Sequence, residues 1–196
     1  MNYDSTSDTQ EHINKVREFL AEIKQNLAGR SNIHDLSKLQ EPEKSMYDEF
    51  TPRLRASTYG SDEYKAMLEE MGVALKHHYE NNSHHPEHYK IWHCPLCESI
   101  FKNKDAPIDI RFEGEVRLCP KCCEHGSIME ATLEPASGIY GMSLLDVIEM
   151  LADWKAAVSR HADGDIQKSL IINKERFAMS DQLFEIMQNT IRELGW

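Results

Sequence analysis

The sequence predicts a mainly α-helical protein that carries a small inserted module of a different kind. Apolar residues recur at helical spacing in four segments, a pattern typical of helices that bury one face. Residues 91–138 instead contain short strand-like runs and turn residues, and all five cysteines fall within them. We therefore expect one helical domain formed by residues 1–90 and 139–196, with residues 91–138 as an insertion that includes a β-hairpin.

Each predicted helix has its own apolar stripe. The first runs from about residue 10 to 28, where Asp8 and Glu11 can form a capping box and Gly29 is a natural stop. The others cover residues 62–82, residues 143–161 and the segment after Ser180. In chain order the stripes are Ile13, Val16, Phe19, Leu20, Ile23 and Leu27; Tyr64, Met67, Leu68, Met71 and Leu75; Leu144, Leu145, Ile148, Leu151, Trp154 and Val158; and Leu183, Ile186, Met187, Ile191 and Leu194.

Length and charge narrow the functional classes. A chain of 196 residues is long enough for one ordinary domain with its own core. The formal charge of -11 disfavours nucleic acid as a partner, because phosphate binding requires clustered Lys and Arg. No apolar run approaches the roughly 18 residues that span a bilayer, and the N-terminus lacks the features of a signal peptide. We expect a soluble, cytoplasmic protein without a membrane partner.

The cysteines form the most specific local motif. CPLC and CPKC place Cys94, Cys97, Cys119 and Cys122 as two pairs, and four thiolates at this spacing can surround Zn²⁺ as a tetrahedron. The arrangement resembles a zinc ribbon. A site with four thiolates is closed to substrate, so we expect structural zinc. Cys123 is a spare thiol that could replace Cys122. The alternative is that these are buried or redox cysteines, and the ribbon could also be a platform for a partner.

A second group of polar residues points to a different metal site. His34 and Asp35 are adjacent in SNIHDLSKL, with Lys38 one turn further on. An imidazole and a carboxylate side by side can reach one divalent ion, and an ammonium can meet a phosphate oxygen on that ion. The alternative is that this pair only caps a helix. His12 and Asp153 lie on apolar stripes, where a shared metal would offset the cost of burying them.

The stretch ALKHHYENNSHHPEHY, residues 74–89, adds five histidines. His78 continues the apolar stripe of its helix, whereas His77 is rotated away from that stripe. His84 and His85 follow in the next loop, and His88 is expected near the surface. The stretch therefore predicts His78 and one of His84 or His85 as ligands.

This order of residues resembles the HD-domain metal-dependent phosphohydrolase superfamily, and also an uncharacterised set of phage and bacterial proteins of the HD type. HDLSKL is similar to the HDxGK form of the motif, and MLADW to the terminal Asp segment. The resemblance covers residues 8–90 and 141–196. The matching positions are His12, His34, Asp35, His78, His84, His85 and Asp153.

The resemblance implies an HD-like helical bundle in which Mn, Mg, Fe, Co or Ni is held by His12, His34, Asp35 and Asp153. His78 with His84 or His85 would then hold a second ion. Lys38 would bind a phosphate oxygen, and Asp35 or Asp146 would orient the nucleophile or protonate the leaving oxygen. Asp146 lies two turns before Asp153 on the same face, so it is the alternative for the late ligand.

The expected function is metal-dependent phosphohydrolysis of a nucleotide or related phosphate ester. Its partner would be a phosphorylated small molecule, and an oligomer is compatible with the sequence. One alternative is a di-iron oxygenase of the HD type, which uses the same ligands. Another is a non-enzymatic zinc-ribbon protein that binds nucleic acid or protein.

Overall fold

The computed structural model describes residues 3–58, 61–106, 116–123, 134–160 and 164–196. The chain divides into two compact units, Met1–Leu36 and Ser37–Trp196. Most described residues are helical, and a small antiparallel sheet accompanies them. The prediction of a mainly helical protein is confirmed. The assignment of its helices to an HD domain stays a prediction.

The first unit consists largely of one long helix, α1, which runs over Thr6–Ile33. It begins earlier than predicted, so Asp8 lies in its first turn and the predicted capping box is wrong. The predicted stop at Gly29 is also wrong. Glycine ends a helix where the chain turns left-handed, and here Asp35 has that conformation, with φ of 57°. No residue of α1 is buried, so its apolar stripe forms no core within this unit.

The second unit contains the other helices. Three of them were not predicted, α2, α5 and α7, and Pro52 inside α2 is a residue that normally argues against a helix interior. Among the described residues, no helix has the length and apolar character needed to cross a membrane. The helices are α2 Glu43–Ala56, α3 Asp62–Glu70, α4 Gly72–Asn81, α5 Pro120–Cys123, α6 Leu144–Val158, α7 Ile166–Arg176 and α8 Asp181–Glu193. Short 3₁₀ turns cover Leu36–Leu39, Pro86–His88, Asn103–Asp105 and Gly138–Gly141.

The helix predicted over residues 62–82 is in fact two helices, α3 and α4. The chain leaves helical geometry at Met71, with φ of −74° and ψ of 1°, and α4 starts at Gly72. Glycine is a weak helix former, which explains why the break falls beside it. Met71 is fully buried and packs with Phe50 of α2 and Met67 of α3. The start of α4 therefore packs against α2, and His78 in the last turn of α4 also contacts α2, through Glu43.

A second core forms between α6, α7 and α8. The prediction of α6 and α8 is confirmed, although the predicted end of α6 at residue 161 lies outside the described residues. Ser143 and Asp146 form a capping box at the start of α6, which fixes where that helix begins. The buried side chains are Val147, Met150, Leu151, Ile166, Leu170, Met179, Met187 and Ile191.

Residues 91–138, predicted as an insertion, contribute a three-stranded antiparallel sheet. Its strands are β1 Ile91–His93, β2 Ile100–Lys102 and β3 Glu134–Ala136, in the order β2-β1-β3. Trp92 in the central strand lies opposite Phe101 and Pro135. The predicted strand character of the segment is confirmed. Its separation as a domain of its own stays a prediction.

Candidate metal sites

The four cysteines predicted as ligands come together in one cluster. Their sulfur atoms all lie within 4.8 Å of one another. The Cys94 and Cys122 sulfurs are 3.8 Å apart, and those of Cys97 and Cys119 are 3.7 Å apart. A tetrahedral zinc ion with bonds of about 2.3 Å separates its sulfur ligands by about 3.8 Å. The cluster could therefore bind a metal ion such as zinc.

The thiols of this cluster differ in their readiness to ionise. Hydrogen bonding by Ser99 lowers the pKa of Cys97 to about 6, so this sulfur already favours the thiolate form that binds metals. The hydrogen bond with Cys97, followed by burial, raises the pKa of Cys122 to about 12. Burial also raises the pKa of Cys119. A cation at the centre would allow all the thiols to ionise together.

The backbone around the cysteines is shaped as two turns. The amide of Cys94 donates to the Ser99 carbonyl over 3.0 Å, and the Glu98 amide donates to the Cys94 carbonyl over 2.8 Å. Glu98 has φ of 58°, which closes the first turn. In the second turn the Cys122 amide donates to the Cys119 sulfur over 3.4 Å. The side chain of Cys123, the predicted spare thiol, lies outside the described part of the chain.

Three histidines of the sequence stretch 74–89 meet at a second site. His78 lies in the last turn of α4, and His84 and His85 follow in the loop. The Nε2 atoms of His78 and His85 are 2.8 Å apart, and the ring centroids of His84 and His85 are 4.2 Å apart. His78 and His84 are 1% and 2% exposed. Each ring offers one nitrogen within 4.8 Å of the others, so the cluster could hold a metal ion.

Glu43 orients the first of these rings. This carboxylate, at the start of α2, is fully buried and accepts a hydrogen bond from Nδ1 of His78 over 2.9 Å. The Ser37 hydroxyl donates to the same oxygen over 3.1 Å, and His77 Nδ1 lies 2.7 Å from the other oxygen. A histidine that donates Nδ1–H to a carboxylate presents an unprotonated Nε2. The contact with Glu43 thus favours the tautomer of His78 that binds a metal.

A second carboxylate lies beside His84. Oε1 of Glu149, on α6, is 3.3 Å from Nδ1 of His84. This pairing again leaves Nε2 as the coordinating atom of the ring. Two of the three histidines therefore have a carboxylate at Nδ1, an arrangement that is characteristic of histidine ligands in metal sites.

His85 is held neutral by its surroundings. Burial, followed by the neighbouring His84 and His78, lowers its pKa to about 3. Asp153 raises the pKa of His85 and Lys38 lowers it, which places both charges near this ring. A neutral imidazole is the form that coordinates metals. The predicted Asp153 and Lys38 therefore lie in the neighbourhood of the histidine cluster.

Hydrogen bonds from several elements fix the loop that carries the histidines. The two oxygens of Asp146 accept from Ser83 Oγ over 2.7 Å, from Tyr89 Oη over 2.9 Å, and from the backbone amide and hydroxyl of Ser143. Glu87 forms an ion pair with Arg176 over 2.7 Å. These contacts support a positioning role for Asp146, and its predicted catalytic role stays a prediction.

Two close backbone approaches complete the anchoring of this loop. A Cβ atom at Gly138 would overlap the carbonyl group of Pro86. A Cβ atom at Gly141 would lie 2.7 Å from the side chain of Tyr89. The 3₁₀ turn Gly138–Gly141 packs directly against the loop only because neither glycine has a side chain.

The remaining predicted ligands lie in the first unit. His12 is in α1, and His34 is its C-cap residue. Nε2 of His34 is 3.6 Å from Oδ2 of Asp35, so the two side chains turn toward each other. Asp35 adopts the left-handed conformation, which is uncommon for a residue with a side chain and is found at functional sites. The roles of these three residues as ligands stay predictions.

The other two histidines of the stretch have structural partners. The His77 side chain is hydrogen-bonded to Glu43 and is 40% exposed. His88 Nδ1 lies 2.9 Å from the backbone carbonyl of Tyr79, which ties the loop to α4. Sequence reasoning missed Glu43 and Glu149, since acidic residues are rarely buried. The signal that could have indicated Glu43 is the helical spacing of the apolar residues that follow it, Met46, Tyr47, Phe50 and Leu54.

The fold and these sites define a mainly helical protein with a cysteine cluster and a histidine cluster that could each hold a metal ion. Residues 1–193 match the model of a family of unknown function, DUF5662. The chain therefore belongs to that family. A search of curated proteins and a search of solved structures each found no match.

Proposed function

We propose that this protein is a metal-dependent phosphohydrolase of the HD type that acts on a nucleotide or a related phosphate ester. The observation that carries the proposal is the pairing of buried histidines with carboxylates, Glu43 with His78 and Glu149 with His84. Such pairing fixes imidazole rings for coordination. Neutral Nε2 atoms combined with a carboxylate from Asp153 suit Mn, Fe, Co or Ni.

The bound metal would supply a water of lowered pKa and would offset charge on phosphoryl oxygens. His78, His84 and His85 would hold it, with Asp153 as the acidic ligand. Glu43 and Glu149 would keep the first two rings in position. The half-buried Lys38, whose ammonium lies 5.0 Å from the Tyr47 ring centroid, would bind a phosphate oxygen of the substrate.

We also propose His34 and Asp35 as metal ligands, because of the sequence pattern in which they occur. The chain links Asp35 to Ser37 through a single residue, so their Cα atoms are at most about 7 Å apart. The hydroxyl of Ser37 is 3.3 Å from Nδ1 of His78. The His-Asp pair is thus separated by one residue in the sequence from a side chain that contacts His78. We propose that the pair supplies further ligands, together with His12, and that a second ion can be held.

We also propose that the ion of the cysteine cluster is structural zinc. Four thiolates leave no open coordination position for a substrate. The surrounding core is small, with Trp92, Phe101 and Ala106 as its apolar members. A module with so little buried apolar surface depends on a metal or another cross-link for stability.

The test is a hydrolysis screen of nucleotides and phosphate esters with metal-loaded protein. We expect activity in the wild type and a loss of at least a hundredfold in Asp35→Ala and Asp153→Ala, with Asp48→Ala as the matched control on an exposed surface of α2. The proposal is overturned if the metal-loaded wild type hydrolyses none of these substrates. It is also overturned if the two variants are as active as the control.

A further inference from the structure

A groove rich in lysine lies where the histidine loop joins the sheet. It has a volume of about 340 Å³. The residues that line it include His88, Tyr89, Lys90, Lys102, Asn103 and Lys104. We call this the lysine groove. No carboxylate is among the described residues that line it, although the chain carries a formal charge of -11.

The three lysines of the groove have no acidic partner among the described residues. All three are exposed. Other lysines do form ion pairs with acidic residues, such as Lys44 with Asp48 and Lys65 with Asp62. Ammonium groups gathered in one groove repel each other. An anion bound between them would relieve that repulsion.

The backbone beneath these lysines is held by the sheet. Lys102 lies opposite Ile91 in the β1–β2 pair, and the amide of Asn103 donates to the Lys90 carbonyl over 3.0 Å. Trp92 Nε1 donates to the Asn103 side chain over 3.0 Å. The bases of the lysine side chains therefore keep a fixed spacing while their ammonium groups can adjust to a ligand.

Aromatic rings line the same groove. His88 and Tyr89 are both half-buried, and their ring centroids are 4.8 Å apart. Hydrogen bonds hold each of them, His88 to the Tyr79 carbonyl and Tyr89 to Asp146. Lysines that follow a phosphate backbone, combined with planar side chains on which bases stack, are the features of a surface that binds single strands.

We propose that the lysine groove binds a single-stranded nucleic acid through its phosphates. This binding is separate from the hydrolysis proposed above, because it uses none of the proposed metal ligands. The acidic remainder of the protein repels a polyanion, so affinity depends on a few local contacts and falls steeply with added salt.

The experiment is a titration of a fluorescein-labelled oligothymidylate, followed by anisotropy over a series of salt concentrations. The variant Lys90→Gln/Lys102→Gln/Lys104→Gln is compared with Lys15→Gln/Lys44→Gln/Lys65→Gln, which removes the same charge elsewhere. Each phosphate contact contributes about 0.7 to the slope of log affinity against log salt for single strands. We expect the groove variant to lower the slope by about 2 and to weaken binding at least tenfold relative to the control variant.

Several outcomes would overturn the inference. One is that the wild type binds no oligonucleotide at low salt. Another is that the two triple variants weaken binding equally, which would mean that only overall charge matters. A third is that duplex DNA of the same sequence binds as tightly as the single strand, because stacked and paired bases cannot reach the rings of the groove. The metal content of each variant is measured in parallel to establish that the fold is intact.

Discussion

Nδ1 of His78 lies 2.9 Å from Oε2 of Glu43, and the two side chains are 1% and 0% exposed. A carboxylate buried this deeply is costly unless hydrogen bonds compensate for the lost water. Ser37 and His77 supply further contacts to the same carboxylate. The pair joins the start of α2 to the end of α4, and it fixes the ring nitrogen that faces His85.

Replacing Glu43 with glutamine tests this relationship. The amide keeps the shape of the side chain but removes the charge that orients His78. Partners of this kind typically contribute 10- to 100-fold to metal affinity. We expect Glu43→Gln to weaken metal binding at the histidine cluster by about that factor, measured by calorimetric titration of the metal-stripped protein.

Glu49→Gln is the control for that experiment. Glu49 is on the same helix and exposed, and it forms an ion pair with Arg53 over 3.7 Å. Its substitution should therefore leave the metal affinity of the histidine cluster unchanged. Equal affinities for the two variants would show that Glu43 does not position a metal ligand.

Substitution of a cysteine in the cluster is expected to change the zinc content of the protein. Cys94→Ser and Cys119→Ser each remove one of the four sulfurs, and we expect each variant to lose one zinc per chain and to unfold locally at the sheet. Zinc is measured by mass spectrometry of the purified protein. Cys123→Ser is the control and should retain its zinc. Loss of zinc in Cys123→Ser but not in Cys122→Ser would instead make Cys123 the fourth ligand.

Asp146 is expected to contribute mainly to stability. Asp146→Ala removes the capping box of α6 together with the bonds to Ser83 and Tyr89. We expect a loss of about 2–3 kcal/mol in the free energy of unfolding, measured by urea denaturation. Tyr89→Phe removes only one of those bonds and should cost about 1 kcal/mol. A fully stable Asp146→Ala protein would rule out the anchoring role.

Alanine substitutions at two glycines are expected to affect stability in opposite ways. Gly138→Ala places a methyl group against the Pro86 carbonyl, so the loop that carries His84 and His85 must shift. We expect lower stability and weaker metal binding. Gly29→Ala lies inside α1 with nothing within 4 Å of the new methyl group, and helix propensity should make it neutral or more stable by about 0.5–1 kcal/mol. A Gly138→Ala protein that matches Gly29→Ala in both properties would contradict the close approach.

The helical class and much of the candidate site follow from local patterns. The stripe that continues into His78 predicted a buried imidazole, and spacing alone predicted the four cysteines as one cluster. The stripe could not reveal that α3 and α4 separate at Met71, since both halves keep apolar residues in register. The end of α1 was also mispredicted, because the left-handed residue that follows this helix is Asp35 and not Gly29.

The acidic partners of the histidines depend on tertiary structure. Glu43 is 35 residues from His78 in the chain, and the apolar spacing that follows it indicates a helix but not which histidine that helix meets. Its burial results from the packing of α2 against α4. The sequence also predicted one of His84 or His85 as a ligand, whereas the fold brings both rings to His78.

The most direct test of the account is the metal stoichiometry of the purified protein and of His78→Ala, measured by inductively coupled plasma mass spectrometry. We expect one zinc plus at least one further transition metal per chain in the wild type. We expect His78→Ala to lose the further metal and to retain the zinc of the cysteine cluster. A wild type that carries only one zinc after exposure to Mn, Fe, Co and Ni, or a His78→Ala protein with unchanged metal content, would contradict it.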